Sequence, residues 1–338
     1  MHACRAVDET GREFLVSKLH AARGALSCAV SGALALGLLI AQPQQLSADP
    51  AAMPSIQSST YGAFGPEGQR MREQFWLIPS GDPSVASRAT VFRPAGGIAE
   101  RHPLVIINHG TSEANRMSVS MPVYYWLSRW FVDRGFAVVL PQRRGHGATG
   151  GTLVEAVGDC ANPDHFRSGV IAAQDVGAAV DFMTRQPFVD PARVLVVGVS
   201  TGGWASLALA SQRPELMAAV VNIAGGRGGH AFGRKNSVCG VDKLVSATHD
   251  FARTARAPTL WLYAQNDSYF GPGLAAKMAA AWKEGGGQVE FDPLPTYGSD
   301  GHDVVDDRAG WGVWGKTLDN FLAAHFGDPK EPLVAQGP

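Results

Sequence analysis

The run Val194-Leu195-Val196-Val197-Gly198-Val199-Ser200-Thr201-Gly202-Gly203-Trp204-Ala205 constrains this chain more than any other stretch. Four apolar, mostly β-branched residues predict a fully buried strand, which stops abruptly at Gly-x-Ser-x-Gly before small residues that tolerate a helix. A serine held on so tight a strand-to-helix turn requires that the residues two before and two after it lack a Cβ, and Gly198 and Gly202 meet that need. The pattern occurs once in the chain. The alternative is an ordinary βα turn, since Gly and Ser are common turn residues.

With 338 residues, 45% hydrophobic and 17% charged, the chain is long enough for one large α/β domain and too apolar for disorder. Its formal net charge of -1 and lack of a Lys/Arg run or aromatic-basic alternation exclude a nucleic-acid partner. At the N-terminus, Arg12, Lys18 and Arg23 precede an apolar stretch over residues 25–41, and a polar run follows to Ala48. That order predicts a signal peptide and spacer over residues 1–48, hence an exported protein with no stable membrane association after cleavage. The alternative is an uncleaved anchor. Removing that segment leaves Cys160 and Cys239 as the only cysteine pair. Both stand in loop-like polar surroundings, where a disulfide in an oxidising compartment is expected; neither has a Cys or His at ligand spacing, so no metal is expected.

Strand-like and helix-like runs alternate, which predicts a mostly parallel sheet covered on both faces. The strands are expected at residues 73–78, 89–92, 104–108, 137–140, 194–197, 219–223, 259–264 and 289–293, the first two as an antiparallel pair. Helices are expected at residues 122–133, 171–185, 204–211, 241–255, 273–284 and 311–326. These eight strands and six helices make one domain over residues 55–330, followed by a tail at 331–338. Residues 144–169 and 225–240 are long, Gly-rich and aperiodic, as functional rim loops are. Each holds one cysteine, so a Cys160–Cys239 bridge is predicted to tie them into a small lid.

A serine hydroxyl is a poor nucleophile unless a base lies within hydrogen-bond reach and an acid orients that base. On a nucleophile-elbow scaffold the partners follow in the order Ser, acid, His. His302 sits on a turn after the last strand and before the last helix and is the expected base. His325 reads as a helix-end surface residue, and His230 and His249 precede the candidate acids. Asp267 is the first acid at the carboxyl end of a strand and is the expected orienting group. Asp300, Asp303, Asp306 and Asp307 lie too close to His302 in sequence to reach its ring without a contorted turn, and read as solvated turn residues. Two backbone N–H groups should receive the oxyanion: that of Thr201, after the nucleophile, and that of Thr111, in the turn after the strand ending at Asn108. His109 is expected to hold that turn rather than carry protons.

These pieces resemble the α/β-hydrolase superfamily, most closely its dienelactone hydrolase and prolyl-oligopeptidase-like branch. The resemblance rests on His109-Gly110, Pro141-Gln142-Arg143-Arg144-Gly145-His146-Gly147, the Gly198–Gly203 elbow, the segment from Trp261 to Asp267 and Asp300-Gly301-His302. It implies a cofactor-free serine hydrolase with Ser200, Asp267 and His302 as triad, hydrolysing an ester, lactone or related acyl bond. Dienelactone hydrolases proper carry Cys where this chain has Ser200, and the N-terminal propeller of prolyl oligopeptidases has no counterpart here. A small-molecule acyl ester is therefore the expected substrate, with a peptidase, amidase or lactonase, or a non-catalytic exported binding protein, as alternatives. Trp204, Tyr269, Phe270 and Arg143 flank the catalytic positions and are candidate pocket residues.

Overall fold

The structure, a computed structural model, describes residues 6–7, 13–14, 61–97, 100–111, 116–118 and 121–326. The chain divides into two compact units, residues 1–56 and 57–338. In the first, Ala6–Val7 pairs antiparallel with Glu13–Phe14. The predicted leader at 25–48 and the tail at 331–338 lie outside the described residues.

In the second unit the described strands form a nine-stranded sheet: β1 (Gly62–Phe64), β2 (Gln74–Pro79), β3 (Ala86–Phe92), β4 (His102–Asn108), β5 (Ala137–Pro141), β6 (Val189–Val199), β7 (Ala219–Ile223), β8 (Thr259–Ala264) and β9 (Val289–Leu294). Their spatial order is β9-β8-β7-β6-β4-β5-β3-β2-β1. The pairs from β9 to β5 are parallel, and those joining β5 to β3, β2 and β1 are antiparallel. This is the α/β-hydrolase fold that the resemblance implied. The eight predicted strands all form, and β1 is added to them. It escaped the sequence reading because three residues beginning at a glycine give no alternation to detect.

The central strands read as continuous apolar runs because helices cover both faces. Along β4, Leu104 and Ile106 join one core with α2 (His165–Met183), α3 (Thr201–Gln212), α4 (Val241–Ala252) and α5 (Pro272–Glu284). Val105 and Ile107 join the opposite core with α1 (Tyr125–Val132) and α6 (Trp311–Phe326). The period of two along a strand thus splits one sequence run between two cores. All six predicted helices form. Helix α2 starts six residues early because Asp164 caps it, its carboxylate accepting the Arg167 N–H at 2.9 Å. Strand β6 begins at Val189, five residues before its predicted start. A register shift opposite Pro103 and Leu104 absorbs Pro191, so the chain pairs on both sides of a residue that cannot donate.

Cys160 and Cys239 are bonded, with Cα atoms 4.8 Å apart, and join the loop before α2 to the loop before α4. No described helix is long and apolar enough to cross a membrane.

Candidate active site

Strand β6 ends at Val199, and Ser200 then takes φ 56°, ψ -123°, a conformation that costs a non-glycine residue about 1–3 kcal/mol. Its neighbours hold it there. The Ser200 N–H donates to the Ile223 carbonyl at 3.0 Å, and its carbonyl accepts from Gly226 and Trp204 at 3.1 and 3.2 Å. A Cβ on Gly198 would come within 2.2 Å of the Gly202 carbonyl oxygen, and one on Gly202 within 2.2 Å of the Asn108 oxygen. The two glycines are therefore forced by close approach, as the sequence pattern required. On either side of Gly198, at the same register, stand buried Asn108 and Asn222. The Asn108 amide donates to the Ser206 hydroxyl of α3, and that of Asn222 to the Tyr263 hydroxyl, which itself donates to the Gly225 carbonyl. These polar residues in central strands link the elbow and the turn after β7 to their neighbours.

Asp267 leaves the carboxyl end of β8 and is 1% exposed. One oxygen accepts the backbone N–H groups of Tyr269 and Phe270 at 2.8 and 2.9 Å, and both oxygens lie 3.1 Å from Nδ1 of His302. The acid is therefore oriented by main chain before it orients the ring. Asp300 does not reach the imidazole. Instead it accepts the backbone N–H of His302 at 3.1 Å, that of Ser268 at 3.0 Å and the Ser268 hydroxyl. It is a turn residue, as expected, but a largely buried one that sets where the histidine leaves the chain. The Tyr269 ring stacks on His302, centroids 4.2 Å apart, and on its other face meets His230 at 3.5 Å. Since Ser268 donates its proton to Asp300, the contact of His230 Nε2 with the Ser268 oxygen at 2.8 Å places a proton on that nitrogen. No hydrogen bond joins Ser200 to His302 among the described residues.

Gly110 stands beside Ser200: a Cβ there would sit 3.1 Å from that of the serine. Its N–H is taken by the Tyr124 hydroxyl at 3.1 Å, a phenol that burial pushes up to about 12. The N–H groups of Thr111 and Thr201 find no protein acceptor among the described residues. Beneath them lies a buried polar cluster. Arg143 donates from Nε to Glu155 at 2.7 Å, from one terminal nitrogen to the His109 carbonyl at 2.7 Å, and from the other to the hydroxyls of Thr111 and Thr201 at 3.3 and 3.2 Å. The Thr201 hydroxyl donates to that of Thr111 at 2.8 Å, and the Thr111 oxygen lies 2.9 Å from His146 Nε2. Burial alone would raise the Glu155 carboxyl, but the charge and hydrogen bonds of Arg143, with Arg227 at 3.4 Å, hold it well below the usual carboxylate range. Burial and then the Arg143 charge keep His109 and His146 below their ordinary values, so both rings stay neutral. His109 donates from Nδ1 to the Gly110 carbonyl at 2.7 Å and accepts the Arg143 N–H at Nε2, leaving no ring nitrogen for proton transfer.

The candidate pocket residues separate. Trp204 is fully buried, donating its indole N–H to the His165 carbonyl at 2.8 Å and packing on Phe251. Phe270 is 1% exposed beneath Gly226. Arg143 is 0% exposed and committed to the cluster just described. These three are interior residues, a correction to the sequence expectation, and Tyr269 alone keeps exposed surface. Glu155 and Ser268 escaped the sequence reading, and His146, Asp300 and His230 were noted there without these contacts, because all five come from aperiodic loops and turns. The one available signal was the position of those loops after strands that end beside the elbow.

The sequence model of the prolyl oligopeptidase family matches residues 122–227, from just before α1 through the elbow to just past β7. A poly(3-hydroxyalkanoate) depolymerase C from Paucimonas lemoignei is 28% identical over 164 residues, covering 46% of this chain and 37% of that enzyme. Among solved structures, the acylaminoacyl peptidase of Pyrococcus horikoshii superposes with a TM-score of 0.55 at 16% identity, covering 77% of this chain and 42% of the peptidase. Dipeptidyl peptidase 4 of Porphyromonas gingivalis gives 0.56 at 15% identity, over 76% and 35% of the respective chains. The chain thus spans well under half the length of these relatives, and the two structures speak for the fold alone.

Proposed function

We propose that the chain is an exported serine hydrolase that cleaves carboxylic esters through an acyl-enzyme. The observation that carries this reading is the contact of both Asp267 oxygens with His302 Nδ1 at 3.1 Å, at the same carboxyl end of the strands as a serine strained onto φ 56°. An acid fixed on Nδ1 leaves Nε2 as the free lone pair, the form needed to take a proton from the Ser200 hydroxyl. Ser200 Oγ then attacks the acyl carbon, and the carbonyl oxygen becomes an oxyanion facing the Thr111 and Thr201 N–H groups. His302 returns its proton to the leaving alcohol, and water repeats the sequence to release the acid. Export is supported by the leader-like order of residues 1–48 and by a disulfide, which persists in oxidising compartments.

The depolymerase similarity supports an ester substrate, and the family match over residues 122–227 favours a second reading, a peptidase. A matched ester and amide with one acyl group separate them: preferential ester turnover supports the first reading, equal or preferential amide turnover the second. For the chemistry itself, a fluorophosphonate probe should label the native protein and leave Ser200→Ala unlabelled. An alanine variant that labels fully places the nucleophile elsewhere.

A further inference from the structure

The two N–H groups that would receive the oxyanion belong to segments 90 residues apart, the turn after β4 and the first turn of α3. Two donors aimed at one oxygen are effective only if their separation is fixed before the reaction, and neither backbone segment bonds directly to the other at these residues. Their side chains do. The Thr201 hydroxyl donates to that of Thr111, and the single Arg143 guanidinium donates to both oxygens and to the His109 carbonyl, two residues before Thr111. The rest of its planar fork is fixed by Glu155, which Arg227 also meets.

We infer that Arg143 is the positioning residue of the oxyanion hole, clamping its two donor loops together through the hydroxyls of Thr111 and Thr201. The inference rests on the assignment of these two N–H groups as the donors. Arg143 touches no reacting atom; it sets where the donors point. A lysine could keep the charge but, as a point donor without the planar fork, could not span the two hydroxyls and the carboxylate together. The carboxylate of Glu155 holds the guanidinium from behind, and Arg227 brings the disulfide-linked loop into the same cluster.

Valine is nearly isosteric with threonine and retains the backbone N–H, so Thr111→Val and Thr201→Val cut the clamp without deleting a donor. Each should lower kcat on an ester about 10-fold, below the ~10²-fold or greater loss when a whole donor is removed. KM should stay within about twofold, and inhibition by a trifluoromethyl ketone of the same acyl group should weaken in proportion to kcat. Arg143→Lys should reproduce the effect of the double valine variant and add little to it, because all three changes break one linkage. Melting temperatures monitor folding, but a merely structural role would move them without moving the ketone affinity in step with kcat. Valine variants that keep wild-type kcat, or an Arg143→Lys loss that simply multiplies that of the valines, overturn the clamp. Ser200→Ala tests the underlying reading separately: if it stays active, the assignment of the hole fails with it, whereas an inactive alanine variant beside fully active valine variants removes the clamp alone.

Discussion

The two sides of the candidate site are built on opposite principles. On the acid–base side, the His302 ring is held by one carboxylate and covered by an aromatic ring that itself keeps exposed surface. On the oxyanion side, Arg143 and Glu155 are 0% and 1% exposed and mesh with two histidines and two threonines. The difference follows from the work each side would do. A base exchanges a proton in every turnover, which calls for access by substrate rather than a saturated network. Donors to an oxyanion act by being in place beforehand, and a saturated buried network resists reorganisation.

The sharpest way to break the contrast is at its single-carboxylate side. Asp267→Asn keeps the shape but presents an amide N–H in place of one carboxylate oxygen. With the Tyr269 and Phe270 N–H groups taking the remaining oxygen, the His302 ring is free to adopt the wrong tautomer. By analogy with the serine protease triad, kcat should fall about 10⁴-fold, or roughly 5 kcal/mol, with folding intact. A loss under tenfold would mean that the base is oriented by something other than this carboxylate.

The oxyanion side should answer to stability before it answers to rate. Glu155→Gln leaves the buried Arg143 without a countercharge, and about 3 kcal/mol of stability should be lost. The pH dependence has a definite sign. The folded-state value of Glu155 is depressed, so its contribution is fully present above the ordinary glutamate value of about 4.3 and is lost as pH falls toward the folded value. His109 and His146 are also depressed, so the unfolded chain takes up protons that the native one refuses, and stability declines as pH falls below about 6.5. Thermal melts from pH 8 to 3 should therefore show two downward limbs in the native protein. In Glu155→Gln the limb near pH 4 should flatten while the limb near pH 6 remains. An unchanged lower limb would assign the acid sensitivity to other carboxylates.

The same contrast governs what could be read from the sequence. Ser200, Asp267 and His302 announce themselves through strand ends and chain order, because a strand's periodicity and its terminating turn are local properties. All six helices were legible for the same reason. The cluster under Thr111 and Thr201 was not. Arg143 was singled out as a candidate pocket residue; nothing local shows that Glu155, twelve residues on, folds back to neutralise it. Trp204 and Phe270 misled in the same way, since proximity to the catalytic positions along the chain does not reveal which side of the backbone a ring takes. Cys160 and Cys239 were legible as a pair because elimination left no other partner, not because their loops have a readable shape.

A smaller effect probes the cover over the base. In the proposed mechanism His302 would become a cation on taking the serine proton, and the Tyr269 ring lies against it at 4.2 Å with an interplanar angle of 28°. A ring face near a partly exposed cation is worth about 0.5–1 kcal/mol. Tyr269→Leu preserves apolar cover but removes the ring quadrupole, so kcat should fall about two- to fivefold, with KM little changed. Tyr269→Phe retains the face and should recover most of that loss. Tyr269 is the one of the four candidate pocket residues that is not buried, and cover for the base and wall for substrate give different signatures. If Tyr269→Leu raises KM for bulky acyl esters and leaves kcat alone, the ring is a wall for substrate, and the acid–base side then differs from the oxyanion side in contacting the acyl group as well as in carrying the proton.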